Sequence, residues 1–276
     1  MQNVNITNLI IGIITCLLGQ VAIPLSCFIK QVEEGMCDNC SWFEDCFGHK
    51  KCVFTHGENL NEWMLISYLK LIGKCPCAKI SMNKNVVIYI IVNALLLTGI
   101  FWSNSTGVDS ILWMITVSAL FSLSVVDWCT QYIPFEHNIL IFLCGLIHLF
   151  ADFSNWLEYL IGLFAVSGFL FIVNQIATPV LRKRYPEEEE IDSVIGDGDI
   201  KLMAATGLLL GWKLNFIALG IGCISGSVIH LIRMKIKGSG AKLALGPYLS
   251  LGVYITMICG EQLVSWYLNM LGLYPV

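Results

Sequence analysis

The amino-acid sequence predicts an all-α, polytopic membrane protein with about eight transmembrane helices and a cysteine-containing cytoplasmic loop. Of its 276 residues, 56% are hydrophobic and only 13% are charged, and the mean hydropathy is +0.73. Because a soluble domain carries about a quarter charged residues, this composition indicates a lipid bilayer as the protein's surroundings. The net charge of −4 provides no basic surface, and no recognition motif is present, so nucleic acid is excluded as a partner.

Eight apolar runs define the predicted helices. Crossing a bilayer takes roughly 20 helical residues, and shorter runs suffice where neighbouring helices cover them. The weakest predicted spans are the fourth and the sixth, which are both short. In chain order the runs occupy residues 8–29, 86–103, 110–127, 136–152, 157–177, 200–212, 215–233 and 248–272.

The distribution of lysine and arginine predicts the orientation, since these residues are retained on the cytoplasmic side. All of them except Lys213 fall within residues 30–84, 182–201 and 233–242. Eight crossings that start outside place all three groups in the cytoplasm and both termini outside. Without a crossing at 200–212 the last basic group would lie outside, so this short run is also predicted to cross.

Two acidic residues stand at the ends of predicted helices, and intramembrane acids mark functional sites by default. Asp127 ends the third helix, which runs inward, and Asp199 begins the sixth, which runs outward. We therefore expect both at the same cytoplasmic boundary. Gly196 and Gly198 allow a close approach of backbone and neighbouring helix, and Pro134 fixes where the loop after Asp127 turns.

A pair of carboxyl groups predicts a specific chemistry. Two such groups a few ångströms apart cannot both ionise, so they share a proton. One then serves as general base toward a water molecule and the other as general acid toward a carbonyl, as in aspartyl proteases. This hydrolysis needs no cofactor. Asp197 is a rival for the second position, because the spacing does not exclude it.

Several stretches then resemble one family. The run Gly196-Asp197-Gly198-Asp199-Ile200-Lys201-Leu202 closely resembles the GxGD-K-L stretch of type IV prepilin peptidases, the leader peptidase and N-methyltransferase family. Asp127 with Pro134 seven residues later is similar to the context of that family's first catalytic aspartate. Residues 67–75 resemble its cytoplasmic-loop signature, and residues 245–252 resemble the entry to its last helix.

The resemblance implies an enzyme of the bacterial inner membrane whose active site faces the cytoplasm. It would remove a short basic leader from prepilins or pseudopilins, cutting after a glycine. A six-helix peptidase core would occupy residues 104–276. The resemblance also assigns the residues of the site: Asp127 and Asp199 as the catalytic pair, with Gly196, Gly198, Lys201 and Pro134 as supporting motif residues.

Most members then methylate the new amino terminus with S-adenosylmethionine, and residues 1–103 would serve that step. The family's first helix usually carries a G-x3-N-x4-R-x-P pattern. In this chain, the stretch that begins at Gly19 lacks both the asparagine and the arginine.

The first loop also predicts a structural zinc site. Cytosolic cysteines are kept reduced, and four thiolates arranged as two pairs are typical zinc ligands. The predicted ligands are Cys37, Cys40, Cys75 and Cys77, with Cys46, Cys52, His49 and His56 as possible replacements. The alternative is a loop with free thiols.

Two other functions remain as alternatives. A transporter also places acids on broken helices, but it would place them near the midplane and show an internal repeat. A presenilin-like protease would share Gly-x-Gly-Asp, but it would carry Tyr-Asp and Pro-Ala-Leu motifs. Here Val126 precedes Asp127, and the late motif is Leu245-Gly246-Pro247.

Overall fold

The structure, a computed structural model, describes residues 14, 86–102, 108–184, 193–237, 244–270 and 272. In this part of the chain the secondary structure is helical throughout, so the all-α prediction is confirmed there. A short 3₁₀ turn, Phe153–Asn155, joins the third helix to the fourth. The helices are α1 (Val86–Trp102), α2 (Val108–Thr130), α3 (Phe135–Ala151), α4 (Trp156–Arg184), α5 (Asp197–Lys237) and α6 (Gly246–Met270).

The described helices include membrane spans. Three stretches are long and apolar enough to cross a bilayer, namely Val108–Trp128, Phe153–Arg184 and Asp197–Lys235. Two shorter apolar helices, Ile88–Ile100 and Phe135–Ala151, accompany them. Each predicted run from residue 86 onward overlaps a described helix. The predicted first helix, 8–29, lies outside the described residues except for Ile14, which is helical.

Helix α5 folds back on itself at Gly211. This glycine has φ 76° and ψ 169°, a backbone conformation that residues with a Cβ rarely adopt. The Asn215 side chain donates a hydrogen bond of 2.8 Å to the carbonyl oxygen of Met203. In a straight helix these residues would be about 18 Å apart along the axis, so the two halves of α5 are antiparallel. The sequence prediction of separate helices at 200–212 and 215–233 agrees with this turn.

Small residues bring the helices of the bundle together. A Cβ atom on Gly162 of α4 would collide with the carbonyl oxygen of Gly207 in α5. A Cβ atom on Gly252 of α6 would likewise collide with the carbonyl oxygen of Ala218. Such contacts between backbones are the usual means of packing helices in a membrane, where the hydrophobic effect between helices is weak. They fix α5 between α4 and α6.

The bundle has two polar ends. The aspartate end is formed where α2 and α4 finish and where α3, α5 and α6 begin. At the opposite end, His148 is hydrogen-bonded to Asp109 (2.9 Å) and to the Tyr159 hydroxyl (3.2 Å). The same hydroxyl donates to Asp152 at 2.7 Å. This network ties together the ends of α2, α3 and α4.

Asp152 lies just beyond α3, in the turn that leads to α4. Its carboxylate accepts a hydrogen bond of 2.9 Å from the side-chain amide of Asn155. This bond, together with the one from Tyr159, holds the pKa of Asp152 below its ordinary value of 3.8. The turn at the opposite end is therefore stabilised by an ionised carboxylate.

Candidate active site

Asp127 lies in the last turn of α2, and its side chain is 4% exposed. The backbone N–H of Gly246, the first residue of α6, donates a hydrogen bond of 2.9 Å to its Oδ2 atom. The helix ends just after it, where Gln131 adopts a left-handed φ of 54° and donates its N–H to the Asp127 carbonyl. The start of α6 therefore holds this carboxyl group in place.

Asp199 lies in the first turn of α5, and its side chain is 8% exposed. The carbonyl of Gly196 accepts hydrogen bonds from the backbone N–H groups of Asp199 (3.1 Å) and Ile200 (3.3 Å), which begins the helix. The Oδ1 atom of Asp199 is buried and has no hydrogen-bond partner among the described residues. Its carboxyl group interacts electrostatically with that of Asp127. The structure therefore brings together the two acids that the sequence placed at one boundary.

Glycines determine how closely the surrounding segments approach. A Cβ atom on Gly198 would lie 2.8 Å from Cβ of Ile133, and one on Gly246 would lie 3.2 Å from Cδ1 of the same isoleucine. The Ile133 side chain therefore packs between the segment that carries Asp199 and the start of α6. The added atom on Gly246 would also lie 2.7 Å from Oδ2 of Asp127. At these two positions any larger residue would displace the wall of the site.

Burial separates the two candidate acids of the second motif. Asp197 is exposed, whereas Asp199 is buried beside Asp127. Residues two apart on a helix do not share a face, so only one of them can point toward α2. In the structure the buried one is Asp199.

The two supporting motif residues outside the glycines have different surroundings. Pro134 is buried, and its extended backbone (φ −62°, ψ 132°) leads directly into α3. Lys201 is exposed, and its ammonium group lies 5.6 Å from the centre of the Phe135 ring. Pro134 positions α3 against the site, whereas Lys201 packs on the first residue of that helix.

Sequence reasoning missed two contributors to the site. Asn138 is 4% exposed, and its side-chain amide donates a 3.4 Å hydrogen bond to the carbonyl of Gly198. An asparagine within an apolar helix could have identified this residue from the sequence, because polar groups inside membranes are rare. The Gly246 amide that holds Asp127 carried no such signal, since any residue except proline has one. The neighbouring His137 is also buried and hydrogen-bonded to Ser122 at 2.9 Å.

The arrangement has a clear chemical capacity. Two buried carboxyl groups, close enough to interact, can share one proton and so supply a proton acceptor and a proton donor at the same place. No described basic side chain forms an ion pair with either acid. A water molecule and an amide carbonyl at this position would meet both groups.

The predicted zinc ligands lie outside the described residues. Cys37, Cys40, Cys75 and Cys77 all fall there, as do their possible replacements in the first loop. Among the residues that the structure does describe, no group of three or more histidine, cysteine or acidic side chains is arranged to hold a metal ion. The zinc site therefore stays a prediction.

Comparison with known proteins points to one family. The model of the Type IV leader peptidase family matches residues 114–231, which include both acids. A prepilin leader peptidase/N-methyltransferase of Pseudomonas aeruginosa is 26% identical over 222 residues, covering 78% of this chain and 73% of the relative. One from Stutzerimonas stutzeri is 27% identical over 208 residues, covering 74% and 69%.

A third relative of the same name, from Legionella pneumophila, is 41% identical over 77 residues, or 27% of each chain. No solved structure matches the chain.

Proposed function

Because the chain belongs to the type IV leader peptidase family and is a prepilin peptidase, we propose that Asp127 and Asp199 are its catalytic pair. The observation that carries this proposal is the burial of both carboxyl groups at the same end of the bundle, where they interact electrostatically. The substrate is a prepilin or pseudopilin, from which the enzyme removes a short basic leader after a glycine.

The proposed mechanism is a general acid–base hydrolysis. One carboxylate takes a proton from water, and the resulting hydroxide attacks the carbonyl carbon of the scissile amide while the other carboxyl group protonates the carbonyl oxygen. The tetrahedral intermediate then collapses, the carbon–nitrogen bond breaks, and the leaving nitrogen takes up a proton to become the new amino terminus. Gly246 supports this by fixing one oxygen of Asp127, which leaves its other oxygen for water.

We propose that the site faces the cytoplasm of a bacterial inner membrane. The basic side chains of the described helices support this orientation because they gather at the aspartate end: Arg182, Lys183, Arg184, Lys201, Arg233, Lys235 and Lys237. Lys213 lies at the opposite end, where it pairs with Glu158 at 3.2 Å. Basic residues are retained on the cytoplasmic side of a membrane.

The test is cleavage of a co-expressed candidate prepilin by the wild type and by three variants. Asp127→Asn and Asp199→Asn should each abolish leader removal while membrane insertion and abundance stay normal. Asp197→Asn is the matched control and should cleave like the wild type, because that side chain is exposed. Cleavage by either of the first two variants would refute the catalytic pair.

Methylation of the new amino terminus is a separate proposal. It is supported by the name of the relatives, and S-adenosylmethionine would supply the methyl group. The region expected to serve this step is described only at Ile14 and 86–102, so no described residue is assigned to the methyl donor. Transfer of a labelled methyl group to a substrate that has already been cleaved tests it independently of the peptidase step.

A further inference from the structure

A groove with a volume of about 120 Å³ lies between α2 and α6. Its α2 wall consists of Val117, Leu120, Phe121 and Ser124. This spacing places all four side chains on one face of the helix. Ser124 is about one helical turn before Asp127, so the groove starts one turn from the proposed catalytic pair and extends away from it along α2.

The lining residues of the α6 wall have the same spacing as those of α2, and they also start near Asp127. It consists of Pro247, Ser250, Leu251 and Tyr254, and Pro247 directly follows the glycine whose N–H holds Asp127. From Pro247 to Tyr254 the helix advances about 10 Å. At the far end the Tyr254 hydroxyl donates a 2.9 Å hydrogen bond to a carbonyl of α1, which joins that helix to α6. The groove thus begins near the site and is bounded at its far end by the contact between α1 and α6.

The lining defines what the groove can hold. Most of its side chains are apolar, and one of its two serine hydroxyls is already used: Ser124 donates to the Leu120 carbonyl at 2.6 Å. The Ser250 hydroxyl is buried and has no hydrogen-bond partner among the described residues. A fitting ligand is an apolar chain with a peptide group at the depth of Ser250.

We propose that this groove binds the apolar segment of the substrate that follows the scissile bond. The inference rests on the proposed function, in which the scissile amide lies at Asp127. A basic leader stays with the water-facing end of the bundle, so the chain beyond the cut must leave toward the lipid. The groove begins within about one helical turn of Asp127, runs away from it along α2 and α6, and is mostly apolar. Its width therefore sets which side chains are accepted just after the cut.

Leu251 offers a test of this proposal because it is 41% exposed and lines the groove. Leu251→Trp should narrow the groove without disturbing the buried core. Two substrates are compared that differ only after the scissile bond, one with bulky apolar residues and one with alanines. For the bulky substrate we expect kcat/KM to fall roughly tenfold or more, while the alanine substrate is cleaved at the wild-type rate.

The matched control is Ile172→Trp on α4, a position that is 59% exposed and does not line the groove. It should leave the cleavage of both substrates unchanged. If wild type cleaves neither substrate, the proposed function fails. If wild type cleaves both and Leu251→Trp cleaves both equally well, the groove proposal alone is overturned.

A second measurement does not depend on turnover. A photo-crosslinking amino acid at position 251, in the Asp199→Asn background, should become linked to the segment just after the scissile bond. Linkage only to residues 8–29 of the enzyme itself, or only to lipid, would show that another occupant fills the groove and would overturn the proposal. The crosslink also tests the groove proposal if the Leu251→Trp variant does not accumulate in the membrane.

Discussion

Replacing Gly246 by alanine is the sharpest perturbation of the candidate site that leaves both aspartates in place. The added Cβ atom would lie 2.7 Å from Oδ2 of Asp127 and 3.2 Å from Cδ1 of Ile133. Real Cβ atoms essentially never approach other atoms more closely than 3.0 Å, so the carboxyl group must move. The 2.9 Å hydrogen bond from the Gly246 amide is then lengthened or lost.

The expected size of the effect follows from that hydrogen bond. A hydrogen bond to a charged group contributes roughly 1.5–3 kcal/mol, and each 1.36 kcal/mol corresponds to a tenfold change in rate. If the bond positions Asp127 for proton transfer, Gly246→Ala should lower kcat for leader removal roughly 10- to 100-fold. The KM should change little, because the leader and the apolar segment still bind.

The assay is the rate of leader removal by purified enzyme in proteoliposomes, with thermal unfolding as a check on folding. Gly168→Ala and Gly220→Ala are matched controls, because an added Cβ atom meets no other atom within 4 Å at either position. Both controls should keep wild-type activity. A Gly246→Ala enzyme that cleaves within twofold of wild type would show that this amide does not position the catalytic carboxyl group.

Three further predictions concern the supports of the site and of the bundle. Gly198→Ala should lower peptidase activity more than it lowers stability, because its methyl group would lie 2.8 Å from Cβ of Ile133. Wild-type activity of this variant in the peptidase assay would contradict the prediction. Asn215→Ala removes buried hydrogen bonds between the two halves of α5, so the free energy of unfolding should fall by about 1–3 kcal/mol, measured by denaturant titration in detergent. The Asn155 hydrogen bond lowers the pKa of Asp152, so it stabilises the fold above about pH 4 and no longer does so once the carboxylate is protonated. Asn155→Ala should therefore lower the melting temperature at pH 7 and much less at pH 3, and an equal deficit at both values would argue against it.

The sequence predicted that Asp127 and Asp199 lie at one boundary because the topology requires it. Once the helices are threaded by the distribution of basic residues, an inward helix that ends in an acid and an outward helix that begins with one share a boundary. The spacing did not decide between Asp197 and Asp199, since both stand in the first turn of one helix; only the family resemblance favoured Asp199. That choice depends on the rotation of α5, which is fixed by its packing against α3, α4 and α6.

Other features of the site had no sequence signal. Ile133 resembles any other apolar residue of a membrane protein, yet it separates Gly198 from Gly246. The hydrogen bond between Gly246 and Asp127 joins residues 119 positions apart, and a backbone amide has no distinguishing side chain. Such contacts become visible only when the helices are assembled.

The basic residues near the site bear on the proposed pairing of the two acids. An ammonium or guanidinium group in contact with the carboxylates would favour the ionised state of both, and neither could then donate a proton. In the structure the nearby cations face aromatic rings instead. The Lys201 ammonium lies 5.6 Å from the Phe135 ring centre, and the Arg233 guanidinium lies 5.0 Å from that of Trp128. Neither cation forms an ion pair with the acids, as the proposed sharing of one proton requires.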